Sequence, residues 1–389
     1  MADIEKLRTK MNKDFDADII IPSKEMKFRR ECLSSGVADI DLRLRGGWPV
    51  GTLNLLYGAQ SSGKSLIAML TIAKAQRTCR KCYTLFNEKV KCECKKCDPC
   101  RVLYIDAENY WTNEWAAWMG IKPEDVYVAR PRYMEEAFDI VDVFIREEAV
   151  DLIVLDSFAA LSPKAEKEAQ MEEWQQALAP RVFRKFLRKW ASDLSDLRAK
   201  DRQIPTTLFL NQITKKTGVV YGNPEILPGG DAQLFFSTTI LKVYKKGIEM
   251  SCDKDDPQPM YQSIRFVVEK SKSSPVKMEG TFEVAINKYM DSGGVLHKPG
   301  DIANDRILFD FAKRFNLVDQ KPGKYVMSGK EFKTQDELFT ALREDTAFFR
   351  DVFRTVNLVY TNYVPTATSM GGRKKGDEKA EGEGTAAAS

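Results

Sequence analysis

Gly58-Ala-Gln-Ser-Ser-Gly-Lys-Ser65 carries the pattern G-x-x-x-x-G-K-[ST]. Thr52-Leu-Asn-Leu-Leu-Tyr57 before it is an apolar run that reads as a strand, and Leu66 to Gln76 after it is a run of good helix formers. Strand, glycine loop and helix form the context this pattern requires. The glycines let the backbone curl until its N–H groups point inward at a phosphate, and the helix N-terminus adds partial positive charge at the same place. Gly58, Gln60, Ser61, Ser62 and Gly63 would form this cradle. Lys64 would reach the β- and γ-phosphates, and the Ser65 hydroxyl would bind Mg²⁺. The chain is therefore expected to be an α/β protein that binds a nucleoside triphosphate.

Bulk composition limits what else the chain can be. Its 389 residues suffice for two or three domains, and 43% hydrophobic with 30% charged residues suits a soluble globular protein. The net charge of +4 is mild, so any nucleic-acid site must come from local clusters. No stretch has the length of a membrane span, and the start Met-Ala-Asp-Ile-Glu-Lys lacks the form of a signal peptide. The expected compartment is the cytoplasm. Eight cysteines there suggest metal or free thiols before disulfides. A single histidine, His297, all but excludes a histidine-based metal site or catalytic dyad.

The longest departure from a simple α/β pattern follows the first helix. Cys79-Arg-Lys-Cys82 is followed, after fourteen residues, by Cys97-Asp-Pro-Cys100, which reads as a pair of zinc knuckles. Each pair would aim two thiolates at one tetrahedral ion. Cys79, Cys82, Cys97 and Cys100 are the preferred ligands, with Cys92 or Cys94 as substitutes. Four thiolates leave no open position, so such a zinc would be structural. The segment from Arg77 to Arg101 is also basic, which suits either contact with nucleic acid or a solvated face.

The remaining elements can be taken in order. Ala17-Asp-Ile-Ile-Ile-Pro22 reads as a short strand that either joins a sheet edge on another subunit or packs locally. Asp39 to Leu44 reads as a short amphipathic helix. Arg101-Val-Leu-Tyr-Ile-Asp-Ala-Glu108 is a strand whose end puts Glu108 at the carboxyl edge of a parallel sheet, where a carboxylate can deprotonate water. Of Trp111, Trp115 and Trp118, one could stack on adenine and the others fill core. Asp125 to Ala129 is a further strand and Met134 to Ala149 a helix. Val150-Asp-Leu-Ile-Val-Leu-Asp156 is a buried strand ending in an acid suited to assisting Mg²⁺. Ala165 to Lys200 reads mainly as helix, broken near Pro180. The strand Ile204 to Gln212 ends in two amides, and Ile213 to Gly230 is a long Gly- and Pro-rich loop placed like a switch. Strands at Thr238–Tyr244, Ile264–Glu269 and Thr281–Ile286 are expected as antiparallel additions to the sheet. Asp301 is the expected N-cap of a helix from Ile302 to Phe315, and helices around Gln335–Leu342 and Thr346–Val356 complete a small C-terminal α/β domain.

Beyond the phosphate loop, Tyr104-Ile-Asp-Ala-Glu108, the run from Asp151 to Glu166 containing Ser162-Pro-Lys-Ala-Glu166, Phe209-Leu-Asn-Gln-Ile213 and Gly218-Val-Val-Tyr-Gly-Asn-Pro-Glu225 appear in one order. In these motifs, over roughly residues 30–350, the chain resembles the RecA family of DNA strand-exchange recombinases. The resemblance implies ATP and Mg²⁺ as cofactors, with Lys64, Ser65 and Asp156 at the phosphates and metal, Glu108 as catalytic base and Gln212 coupling the γ-phosphate to DNA. It implies DNA-binding loops near Ser162–Trp174 and Ile213–Gly230, which place Lys164, Lys215, Lys216, Gly218, Tyr221, Gly222, Asn223, Gly229 and Gly230 on DNA. It further implies Trp115 near adenine, Phe235 plugged into a neighbouring protomer, and Lys270 and Lys272 completing the ATP site of that neighbour. The partners implied are single- and double-stranded DNA, further copies of the chain in a helical filament, and a single-strand-binding or loader protein.

The implied organisation is an N-terminal oligomerisation segment (1–33), a RecA-like ATPase core (34–298) of mostly parallel twisted sheet with the cysteine insertion at 78–100, a C-terminal domain (299–365) and a disordered tail (366–389). The cysteine segment departs from the usual bacterial members. So does the tail, whose Arg373, Lys374, Lys375 and Lys379 balance Asp377, Glu378, Glu381 and Glu383 where those members have an acidic excess. The lysine-pair segment is one residue shorter before Pro275. Such divergence suggests a phage or mobile-element version, acting in the cytoplasm of a bacterial host. The alternative is a zinc-containing RecA-like branch-migration ATPase or ring helicase, but that relative's Lys-Asn-Arg-Phe-Gly motif is not found here. A non-enzymatic ATP-gated regulator would need a defective site, whereas Lys64, Ser65, Glu108 and Asp156 are all in place.

Overall fold

Eight largely apolar segments pair into one sheet in the computed structural model, which describes residues 3–16, 18–25, 31–157, 160–168, 178–200, 202–215, 225–291 and 294–364. The strands are β1 (Leu53–Gly58), β2 (Val102–Asp106), β3 (Val126–Ala129), β4 (Leu152–Asp156), β5 (Thr206–Gln212), β6 (Thr239–Met250), β7 (Pro259–Ser271) and β8 (Glu279–Ala285). Their order across the sheet is β8-β7-β6-β1-β5-β4-β2-β3. The six strands from β6 to β3 run parallel, and β7 and β8 continue the sheet antiparallel. The expectation that all three late strands add antiparallel is corrected at β6. It pairs with β1 in parallel, from Thr239 with Asn54 to Val243 with Gly58.

Alternation along each strand supplies both faces with apolar side chains. In β4, Leu152 and Val154 join one buried cluster while Ile153 and Leu155 join another. The first cluster lies under helices α2 (Ala38–Arg43), α3 (Lys64–Ala75) and α4 (Asn113–Trp118). The second lies under α5 (Met134–Arg146) and α6 (Leu178–Ala199), where Phe138 stacks on Phe186 with ring centroids 4.1 Å apart. Pro180 falls within the helical run of α6.

A third cluster forms the C-terminal domain from α7 (Asn304–Arg314), a three-stranded sheet over residues 318–332, α8 (Gln335–Glu344) and α9 (Thr346–Asn362). Leu42 of α2 is fully buried in it, which fastens the domain to the core. Asp301 does not cap α7. Its carboxylate accepts from the Lys298 amide at 2.7 Å and closes the preceding turn, and Ala303 takes the cap position.

At the N-terminus the isoleucine run pairs with no strand of its own chain among the described residues. Residues Ile4–Asp14 form a helix with no buried residue, and Ile19 to Ile21 form no strand. The Asn12 side chain pairs with both backbone groups of Ile20, accepting from its amide at 2.9 Å and donating to its carbonyl at 3.1 Å. One amide side chain thus takes the place of a neighbouring strand, and all three isoleucines stay exposed. The tail, Tyr221 to Asn223, Lys216, Gly218 and Trp174 lie outside the described residues.

Candidate functional site

The loop after β1 begins where its backbone has no room to move. A Cβ on Gly58 would lie 2.2 Å from the Val243 carbonyl oxygen of β6. Gly63 has φ +102°, and a Cβ there would sit 2.3 Å from Ile264 of β7. Only glycine fits either position, so neighbouring strands mould the loop from below. Gln60, Ser61 and Ser65 are exposed along it, and the Ser61 carbonyl accepts from Gln262 at 3.3 Å. Ser62 is buried, and its hydroxyl has no hydrogen-bond partner. The Lys64 ammonium folds back on the loop, donating to the Ala59 carbonyl at 2.8 Å and the Gly58 carbonyl at 3.3 Å. Burial pulls its pKa below the usual lysine range, against the nearby charges of Asp156 and Glu108. A buried cation whose hydrogen bonds go to loop carbonyls, beside an orphaned buried hydroxyl, fits a polyphosphate.

Opposite this loop, β2 and β4 end in register, with Asp106 paired to Asp156. Tyr104 and Asp106 share one face of β2, and Glu108 follows in the bend just past its end. The Tyr104 hydroxyl donates to Asp156 at 2.7 Å, and the Ser65 hydroxyl lies near enough to favour the charged form of that carboxylate. Burial raises the pKa of Asp156, with Tyr104, Ser65 and Lys64 working the other way. Glu108 is half-buried and accepts from the Gln212 amide at 2.9 Å. Burial, then the charge of Asp156, lifts its carboxyl above the usual range. Sequence reasoning missed three supports of this group. Tyr104 holds Asp156, Asp106 takes the amides of Tyr110 and Trp111, and Arg130 pairs with Asp106 at 3.1 Å. The two-residue period of β2 up to Asp106 was the available signal for Tyr104 and Asp106.

Gln212 is also the gate to the long loop. Thr214–Lys215 pairs with Glu225–Ile226 in a short antiparallel ladder at the loop's base. Its exit is clamped by two buried amides, Asn211 at the strand end and Gln233, which sequence reasoning did not single out. Asn211 donates to the Pro228 carbonyl and to Gln233, each at 2.9 Å, and Gln233 donates to the carbonyls of Pro228 and Gly230. Gly229 lies between those two acceptors. Lys164 is exposed on the single turn Lys164–Glu168 beyond β4, at the same edge of the sheet.

The remaining expected residues are dispersed. Trp115 is half-buried against the α3 side of the core and meets Trp118 edge-on, at 6.3 Å between ring centroids. Lys270 donates to the Leu234 and Phe235 carbonyls, at 2.6 and 2.9 Å, and so caps the turn that carries Phe235. Lys272 is exposed, and Phe235 is 75% exposed, an aromatic ring set out toward solvent.

The cysteine segment stands at the other end of the strands. The thiols of Cys79, Cys82, Cys92 and Cys94 lie within 4.8 Å of one another, with Cys94 at 3.5 Å from both Cys79 and Cys92. Four sulfurs around a tetrahedral zinc stand about 3.8 Å apart, so this donor set fits the ion. The converging set takes in both substitutes, Cys92 and Cys94, and leaves Cys97 and Cys100 outside it. Cys100 enters the core as a neutral thiol, its pKa pushed well above the ordinary value by burial and by the charge of Asp151. Cys97 reaches only Cys92, at 3.6 Å, and exchanges amide-to-sulfur hydrogen bonds with it. At Cys82, burial acts to raise the pKa. Hydrogen bonds from the Thr84 hydroxyl and nearby amides outweigh it and bring the thiol to about 6.

The glycine loop, the paired acids and the sheet order define a RecA-like α/β core. Residues 83–291 match the RecA N-terminal domain, a stretch that starts inside the cysteine segment, after the phosphate loop. The chain is 30% identical to protein RecA of Methylobacterium sp. (strain 4-46) over 87% of its own length and 84% of that protein. It is 31% identical to protein RecA of Fusobacterium nucleatum subsp. nucleatum over 84% of this chain and 78% of that one, and 27% identical to protein RecA of Francisella tularensis subsp. tularensis over 96% and 94%. The chain belongs to the RecA family.

Proposed function

We propose that this chain is a DNA-dependent ATPase that assembles on single-stranded DNA as a filament and pairs it with homologous duplex. The observation that carries the reading is the Gln212–Glu108 hydrogen bond, which ties the carboxylate at the phosphate edge to the first residue before the long loop. Family membership supports the same reading.

Lys64 and the amides of Gly58 to Ser65 bind the phosphates of ATP. Ser65 and Asp156 would hold Mg²⁺, which when bound neutralises charge between the phosphates. Glu108, with its raised pKa, takes the proton of the attacking water. Gln212 then has two partners to choose between, the carboxylate and the γ-phosphate, so the nucleotide state is passed to the loop it begins. Loops that grip phosphates through amides and basic side chains bind DNA without reading bases, which leaves sequence to strand pairing. Lys270 and Lys272, near the exposed Phe235, belong to the surface facing the next protomer. Zinc fills the tetrad Cys79, Cys82, Cys92 and Cys94. Among the described residues no helix is long and apolar enough to cross a membrane.

The test is ATP hydrolysis with and without single-stranded DNA, titrated against protein concentration and paired with electron microscopy. Strong stimulation, cooperative dependence on protein and helical filaments are expected. DNA-independent hydrolysis by closed rings would overturn the reading.

A further inference from the structure

The zinc segment is joined to two bodies. On the core side, Arg80 pairs with buried Asp151 at 3.1 Å, and the Arg101 amide donates to the same carboxylate at 2.8 Å. Isolated bridges from Thr78 to Leu85 and from Cys79 to Pro99 close its base. On the far side, it meets the first three turns of α9. Asn87 donates to the Thr346 hydroxyl at 2.7 Å, Arg350 donates to the carbonyls of Leu85 at 3.1 Å and Lys91 at 3.3 Å, and Arg354 pairs with Glu93.

The acceptors for α9 are interleaved with the thiols. Lys91 directly precedes Cys92, and Glu93 lies between Cys92 and Cys94. Whatever fixes those two sulfurs fixes the groups that Arg350 and Arg354 hold. Packing is loose where they meet: a cavity of about 160 Å³ lies at the junction of the segment, α9 and the core, lined by Tyr83, Leu85, Phe349 and Phe353 together with core residues such as Cys32 and Lys74. The joint depends on directed polar bonds, and these need an ordered partner.

We infer that the cysteine segment is a metal-dependent latch that holds α9 of the C-terminal domain against the ATPase core. This rests on the zinc reading above. Zinc binding and folding of such a small segment are one process, so losing the ion melts the acceptors and releases the segment-facing side of α9, while Phe348, Val352 and Val356 on its other side stay in the C-terminal cluster. The rest of the domain stays attached through Leu42, through Asn304, which bonds the Ala38 amide and the Gly36 carbonyl, and through Arg43 over the Phe311 ring.

Hydrogen exchange on the full chain tests this, with zinc measured in the same samples. Chelation, or Cys94→Ser, should speed amide exchange roughly tenfold in both 79–97 and 346–356, while β1 stays protected. The double variant Arg350→Ala/Arg354→Ala should speed exchange in 346–356 and keep its full equivalent of zinc. Faster exchange confined to 79–97 after zinc loss would overturn the latch and leave the zinc reading intact. Purified chain without zinc would overturn the metal dependence itself. Unchanged exchange of 346–356 in the arginine variant would remove the docking contact with or without metal.

Discussion

The phosphate loop and the cysteine segment stand at opposite ends of the same parallel strands and keep their shapes by different means. The loop follows Gly58, beside Gln212 of β5, at the carboxyl edge. The segment ends at Cys100, where the Arg101 amide meets Asp151 at the amino edge. A five-residue strand separates the two edges by about 17 Å. The loop is shaped from outside, by strands that leave Gly58 and Gly63 no space for a side chain. The segment has few apolar residues to bury and draws its order from four converging thiols. A site that must change partners during each turnover is built on rigid backbone. An inserted element with few apolar residues of its own is built around converging thiols.

The sharpest way to break this contrast is Lys64→Ala. It should lower ATP turnover by a factor of roughly 1,000, with circular dichroism and bound zinc unchanged, since one preorganised charge at a reacting phosphate is worth about that much. Retained turnover would remove the nucleotide assignment from the carboxyl edge.

Glu108→Gln should cost roughly 100- to 10,000-fold in hydrolysis while nucleotide still binds. The raised pKa of Glu108 fixes the sign of the pH effect. The carboxylate form is the base, so activity falls as pH drops through a value above the ordinary glutamate range, and this acid limb disappears in the variant. An unchanged pH–rate profile would assign the base elsewhere.

Two serine variants sharpen the other half. Cys94→Ser should leave less than one equivalent of zinc, whereas Cys100→Ser should keep it and lose stability by placing a hydroxyl in the core. The reverse result in metal analysis would restore the spacing-based ligand set.

The smallest effect is expected from Lys95→Ala/Lys96→Ala. These exposed lysines are far from the loops at the carboxyl edge, so affinity for single-stranded DNA should be unchanged at any salt concentration. A weaker salt dependence would make the basic face of the segment a DNA contact.

Several elements could be read from residues one at a time. The phosphate loop, the strand ends at Glu108, Asp156 and Gln212, and the helices flanking them depend on local pattern, and local pattern is written along the chain. Which thiols converge could not be read that way. Cys97-Asp-Pro-Cys100 has ideal spacing, yet Cys100 starts the run into β2 and is drawn into the core, so spacing lost to burial. The three isoleucines have the composition of a strand, but pairing needs a partner and Asn12 supplies the bonds instead.

The sequence by itself determined that the chain has a phosphate loop in an α/β sheet, two acids and an amide at its edge, and a cluster of thiols after the first helix. These follow from short-range periodicity and residue chemistry. Tertiary structure alone decided which thiols meet, that the cysteine segment and the phosphate loop lie at opposite edges, that Gln233 and Asn211 clamp the long loop, and that α9 docks on residues more than 250 positions earlier in the chain. Those contacts depend on where the sheet carries each strand end, and no local pattern encodes that distance.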